Sequence, residues 1–183
     1  MSRTDTKLAE KIKKDDSDAF KQIFELYYVK LCQFAYRYIQ SHDLSRDIVQ
    51  EVFIKIWDNR KELNINKSFR AYLYRAVRNN AINHATALRN QSELKKRLTQ
   101  SQNQSSVMVS NFDETDFEEV SKLYQQIWKI AARLPEKRRY VFILHRKHGL
   151  SYREIGEVMN ITRKTVENQM GRALEFIRKE LQE

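Results

Sequence analysis

The sequence predicts an all-α protein of two small helical domains, and three observations carry that reading. Turn-formers are scarce, with 3 Gly and 1 Pro in 183 residues, which leaves little material for the tight turns of a sheet. Apolar residues recur at helical spacing and nowhere form an alternating run. Charge falls in three blocks. Residues 1–90 hold 17 basic and 11 acidic side chains, net +6; residues 91–119 hold 3 and 6, net −3; residues 120–183 hold 14 and 7, net +7. The middle block is polar and weakly periodic, as linkers are. The layout expected is a first domain at 1–90, a flexible linker at 91–118 and a second domain at 119–183.

Helices are expected in the first domain at about 17–40, 43–60 and 68–89. Ser41 or Asp43 is placed to cap the second and Ser68 the third. The second helix contains "DIVQEVFIKIWDNR" (47–60). At 100° per residue, Ile48, Val49, Val52, Phe53, Ile56 and Trp57 share one broad face, which is core. Opposite lie Asp47, Glu51, Ile54 and Asp58, with Gln50 beside them. A solvated face has no need of Ile54, although single exposed apolar residues are common. On the third helix Phe69, Leu73, Ala76 and Val77 face inward. Tyr72, Arg75, Asn79 and Asn83 line another face, flanked by Arg78. Rings interleaved with Arg and Asn suit unpaired bases, which stack on aromatics while cations follow the phosphates.

The second domain is expected to form helices at about 119–133, 136–147, 151–159 and 162–181. Ser151 followed by Glu154 is a capping box. A short helix then turns Ile155 and Val158 inward. "MNIT" breaks it, Thr162 is placed to cap the next helix, and there Val166, Met170, Ala173 and Ile177 share a face. Two short helices across a tight turn, the second longer, make a helix-turn-helix pattern. The second helix points Lys164, Asn168, Gly171, Arg172 and Glu175 outward, with Arg163 and Glu167 at the flanks. Arg, Lys and Asn near a helix N-terminus can reach base edges in a major groove. Glu167 can accept from a cytosine amino group or simply form a salt bridge.

A net charge of +10 and a sequence pI near 9.7 point to a polyanionic partner, nucleic acid first. No apolar stretch approaches the roughly 20 residues of a membrane span, and the N-terminus has no apolar signal core. A cytoplasmic protein without membrane insertion is expected. The single Cys32 excludes a disulfide within the chain. Catalytic chemistry is not visible. His145 and His148 have a metal-like spacing but no Cys nearby, and no phosphate-cradling Gly loop exists. No cofactor or metal is expected, and the chain reads as a binder rather than an enzyme.

Residues 134–178, "LPEKRRYVFILHRKHGLSYREIGEVMNITRKTVENQMGRALEFIR", closely resemble region four of sigma factors, specifically the extracytoplasmic-function (ECF) group of the sigma-70 family. The Leu-Pro-Glu opening, "GLSYREI", "TVENQM" and "RALEFIR" carry the likeness. Gly156 departs from it, standing where the family usually has Ala, with a slight loosening of the helix expected. Taken alone this domain also resembles the output domain of many response regulators, so a stand-alone helix-turn-helix regulator is the alternative. The first half arbitrates. Residues 17–89 resemble sigma region two, and "DIVQEVFIKIWDNR" is similar to its most recognisable helix.

The resemblance implies a factor that binds core RNA polymerase and directs promoter-specific initiation. It puts Asp47, Gln50, Glu51, Ile54 and Asp58 on a coiled coil of the large polymerase subunit. The third helix and the loop before it, "KELNINKS" (61–68), would open the minus-ten element of promoter DNA and hold a flipped base. The residues implied are Lys67, Phe69, Arg70, Tyr72, Arg75, Arg78, Asn79 and Asn83. Asn83 stands where many members have Asp. Arg163, Lys164, Thr165, Glu167, Asn168 and Arg172 would read the minus-thirty-five element. An anti-sigma factor is a further implied partner, although no residue specifies one.

Overall fold

The structure, a computed structural model, describes residues 3–63, 68–98 and 118–182. Those residues form two compact helical units.

The first unit contains helices α1 (Arg3–Ile12), α2 (Ser17–Ile39), α3 (His42–Asp58) and α4 (Phe69–Leu98), with a 3₁₀ turn at Arg60–Glu62 after α3. Helix α2 is central and packs against α1, α3 and α4. It begins where the Asp16 carboxylate accepts from the Ala19 N–H at 2.9 Å. It ends at Gln40, whose left-handed φ of 53° lets its N–H donate to the Tyr36 carbonyl at 2.7 Å. Ser41 follows at once as the cap of α3, accepting from Leu44 N–H, so two residues turn the chain between helices. The core joins Ile23, Leu31 and Phe34 of α2 to Ile48, Val49, Val52 and Phe53 of α3 and Leu73, Tyr74 and Val77 of α4. Each such side chain contributes about 1.5–3 kcal/mol on burial. Edge-to-face rings tie the helices together, with Phe24 against Phe53 at 4.9 Å and Phe34 against Tyr74 at 5.1 Å.

This unit departs from the sequence expectation in its first and last helices. Helix α1 lies in a stretch read only as lacking a signal core. Its Leu8, Ala9 and Ile12 are buried, and its buried Asp5 accepts from the Tyr27 hydroxyl at 2.8 Å. Burial, then that bond, push the Tyr27 hydroxyl far above its ordinary range. Helix α4 also continues to Leu98, so residues 91–98, placed in the linker by composition, are helical. Of that expected linker, residues 99–117 lie outside the described residues. Within α4, Ala76 is half-buried where an inward position is expected, and Tyr74, outside the expected stripe, is fully buried.

The second unit contains α5 (Glu118–Ala132), α6 (Glu136–Arg146), α7 (Tyr152–Met159) and α8 (Arg163–Gln182). Helix α8 packs on α5 and α6 through the expected stripe of Val166, Met170, Ala173 and Ile177, all buried. Gly149, at φ +67°, makes the turn out of α6. The capping box of α7 is complete: Ser151 Oγ accepts from the Glu154 N–H, and Glu154 Oε2 accepts from the Ser151 N–H at 2.8 Å. Asn160, left-handed at φ 54°, closes α7 with its N–H on the Gly156 carbonyl, which also accepts from Ile161 N–H at 3.0 Å. A Cβ on Gly156 would stand 2.8 Å from the Ile161 carbonyl oxygen. The expectation of a merely looser helix therefore needs correcting: glycine here allows the turn to close over α7.

Candidate functional site

Three outward faces hold the residues singled out from the sequence. On α3, Asp47, Gln50, Glu51, Ile54 and Asp58 are all exposed. Ile54 keeps 59% of its surface in solvent at the centre of this acidic face. Glu51 forms an i,i+4 pair with Lys55 at 3.5 Å, whereas Asp47 and Asp58 have no ion-pair partner among the described residues. Trp57, assigned to the core stripe, is only half-buried. Arg60 covers part of what remains: its guanidinium lies 4.4 Å over the indole and donates to the Trp57 carbonyl at 2.6 Å. Arg60 also pairs with Asp15, holding that carboxyl below its usual range. The end of α3 is thereby anchored to the turn between α1 and α2, a contact across 45 residues of sequence that no local pattern announces.

On α4, Tyr72, Arg75, Asn79 and Asn83 are exposed at successive helical turns, with Arg70 and Arg78 half-buried at the flanks. Phe69 differs from its expected minus-ten role: it is 1% exposed, inside the core. Its ring lies nearly parallel to that of Tyr72, 6.2 Å between centroids. Phe69 is thus a support for Tyr72, which is 40% exposed. The helical wheel had already placed Phe69 inward. Lys67 lies outside the described residues.

On α8, Arg163, Lys164, Asn168 and Arg172 are exposed, and Thr165 and Glu167 are half-buried. Thr162 caps the helix, accepting from Thr165 N–H at 3.1 Å. Glu167 Oε1 accepts from Arg163 Nε at 2.9 Å, and Oε2 lies 4.0 Å from Lys164 Nζ. Of the two roles open to Glu167, the salt bridge is the one formed here. His145 Nδ1 is 2.8 Å from the Leu150 carbonyl oxygen, a turn contact. Among the described residues no group of three or more His, Cys, Asp or Glu is placed to hold a metal, and no helix is long and apolar enough to cross a membrane.

An acidic face with an apolar centre, an aromatic–Arg–Asn face and a basic helix-turn-helix define a two-module helical transcription factor. The Sigma-70 region 2 profile matches residues 23–91, and the Sigma-70, region 4 profile matches residues 124–177. The ECF RNA polymerase sigma factor SigW of Bacillus subtilis (strain 168) is 30% identical over 180 residues, covering 97% of this chain and 96% of that protein. The ECF RNA polymerase sigma-E factor of Escherichia coli (strain K12) is 30% identical over 189 residues, covering 98% and 95%. The fold resembles CnrH, solved in complex with the cytosolic domain of CnrY, at a TM-score of 0.63 and 21% identity over 98% of this chain and 97% of that one. It also resembles the sigma factor RpoE of Bartonella quintana, solved with the anti-sigma factor NepR, at 0.59 and 20% identity over 89% and 96%. The chain belongs to the extracytoplasmic-function sigma factors of the sigma-70 family. It is an initiation factor that binds core RNA polymerase and directs promoter-specific transcription. Its relatives are transcription regulators rather than catalytic enzymes.

Proposed function

We propose that the three faces divide the work of initiation. The α3 face, Asp47, Gln50, Glu51, Ile54 and Asp58, docks on polymerase. The observation that carries this is Ile54, an exposed apolar residue ringed by carboxylates. Such a face repels DNA and suits a basic protein surface with an apolar pocket, where charge serves encounter and specificity. On α4, Tyr72 with Arg75, Arg78, Asn79 and Asn83 holds the melted minus-ten strand, stacking supplying about 1–3 kcal/mol per base. Phe69 acts from beneath as a support, and Arg70 flanks this face. On α8, Arg163, Lys164, Asn168 and Arg172 reach the minus-thirty-five duplex. Residues 1–90 and 119–183 are the two working modules. Joining them in one chain raises the effective concentration of the second contact once the first is made. An anti-sigma protein is a partner of this chain, as NepR is of RpoE of Bartonella quintana, and the chain acts in the cytoplasm, where polymerase works.

Co-elution with core bacterial RNA polymerase tests the central assignment. The wild-type chain is expected to co-elute, and Glu51→Lys with Ile54→Asp to abolish co-elution while the helical circular dichroism stays unchanged. Full binding by the folded double variant would remove the α3 face from the docking surface.

A further inference from the structure

The first turn of α8 runs against helix electrostatics. A helix N-terminus carries partial positive charge and favours anions, yet Arg163 and Lys164 stand there with no acidic residue in the turn. The acid that faces both cations sits one turn later. Glu167 bonds Arg163 through Oε1 at 2.9 Å and approaches Lys164 with Oε2 at 4.0 Å. The Glu167 side chain is 32% exposed, against 73% for Arg163 and 80% for Lys164. The acid is thus the most covered of the three side chains, while both cations remain open to solvent. Exposed ion pairs contribute only about 0–1 kcal/mol, so stability is a weak reason to place an acid on a surface that must approach phosphates. Geometry supplies a stronger one. The bond engages Nε and leaves Nη1 and Nη2, a donor pair that matches O6 and N7 of guanine.

We infer that Glu167 is a positioning residue for Arg163 and does not itself read a base. It fixes the guanidinium plane for a guanine edge, and its charge weakens the attraction of this turn for phosphates of any sequence. The helix gains selectivity at the expense of non-specific affinity. The inference rests on the reading of α8 as the duplex-reading helix.

The test uses holoenzyme reconstituted from the full chain and core polymerase, selecting from duplexes randomised over the upstream promoter element. Wild type, Glu167→Gln, Arg163→Ala and the double variant are compared. Both single variants are expected to lose about tenfold discrimination at one and the same G·C pair, and the double variant to lose no more than Arg163→Ala alone. Glu167→Gln should also bind random-sequence duplex more tightly than wild type. If Glu167→Gln lowers discrimination further in the Arg163→Ala background, or acts at a different base pair, Glu167 reads a base directly and the inference is overturned. If Arg163→Ala leaves all upstream selection intact, the assignment of α8 as reader fails, and this inference falls with it.

Discussion

Helix α3 buries Ile48, Val49, Val52, Phe53 and Ile56 and turns Asp47, Glu51 and Asp58 outward around Ile54. Helix α8 buries Val166, Met170, Ala173 and Ile177 and turns Arg163, Lys164 and Arg172 outward around Gly171. The inner faces are interchangeable in kind; each is an apolar stripe of about 100° or more against neighbouring helices. The outer faces differ in sign and in what stands at the centre. A desolvated apolar anchor strengthens a protein interface, and α3 shows one. Cations strengthen contact with phosphates, and α8 shows those with no large exposed apolar residue among them. On the proposed assignment the partner is written on the outer face alone, and the core holds that face in shape.

That separation can be broken at either end. The largest effect is expected from the core of the first unit. Phe69→Ala should destabilise it by about 3–5 kcal/mol, read as lost hydrogen-exchange protection in α2–α4, while Tyr72→Ala, one turn away and exposed, should cost far less. Comparable losses would mean that Tyr72 belongs to the core. Next comes the basic face. Arg163→Ala with Lys164→Ala should weaken selection of the upstream element by about tenfold or more with polymerase co-elution unchanged. Co-elution that falls in step would merge the two faces into one surface. Gly156→Ala is expected to lower stability by about 1–3 kcal/mol, as overpacking does, even though alanine gains roughly 1 kcal/mol of helix propensity. A higher melting temperature would show that the turn yields to the methyl group. The smallest effect concerns Tyr27. Its hydroxyl titrates well above its ordinary range in the folded chain, so above about pH 10 only the unfolded chain releases that proton. Stability should hold below that pH and fall as pH rises beyond it. Tyr27→Phe should flatten the decline in melting temperature between pH 9 and 11, and an unchanged slope would place the alkaline sensitivity elsewhere.

Much of this architecture was legible because helices announce themselves locally. The stripe of α8, the capping box at Ser151 and Glu154 and the outward position of Ile54 all follow from 3.6-residue spacing, and the structure has each of them. What stayed hidden depends on contacts between distant residues. Helix α1 is short and its apolar signal is three residues among lysines; Asp5 looks like a solvated charge until Tyr27, 22 residues on, meets it. Trp57 lies on the inward wheel, yet it sits half-buried at the rim beneath Arg60, which Asp15 holds from the turn between α1 and α2. For Phe69 the family pattern implies DNA contact and the helical spacing implies an inward position; the structure buries it, as the spacing expects. Composition placed the end of α4 too early because Gln, Ser, Lys and Arg after residue 90 are polar without being helix-breaking.

The segregation on α8 bears on how such factors diversify. Arg163, Lys164, Asn168 and Arg172 are exposed, and none of them belongs to the buried stripe. Surface substitutions of this kind usually change stability by no more than about 0.5 kcal/mol. A gene copy can therefore drift through many alternatives at these positions without unfolding its product. On the proposed reading of α8, each alternative presents a different pattern of donors to the groove. Duplicated copies can acquire separate sets of target genes by exchanging a few side chains on one helix.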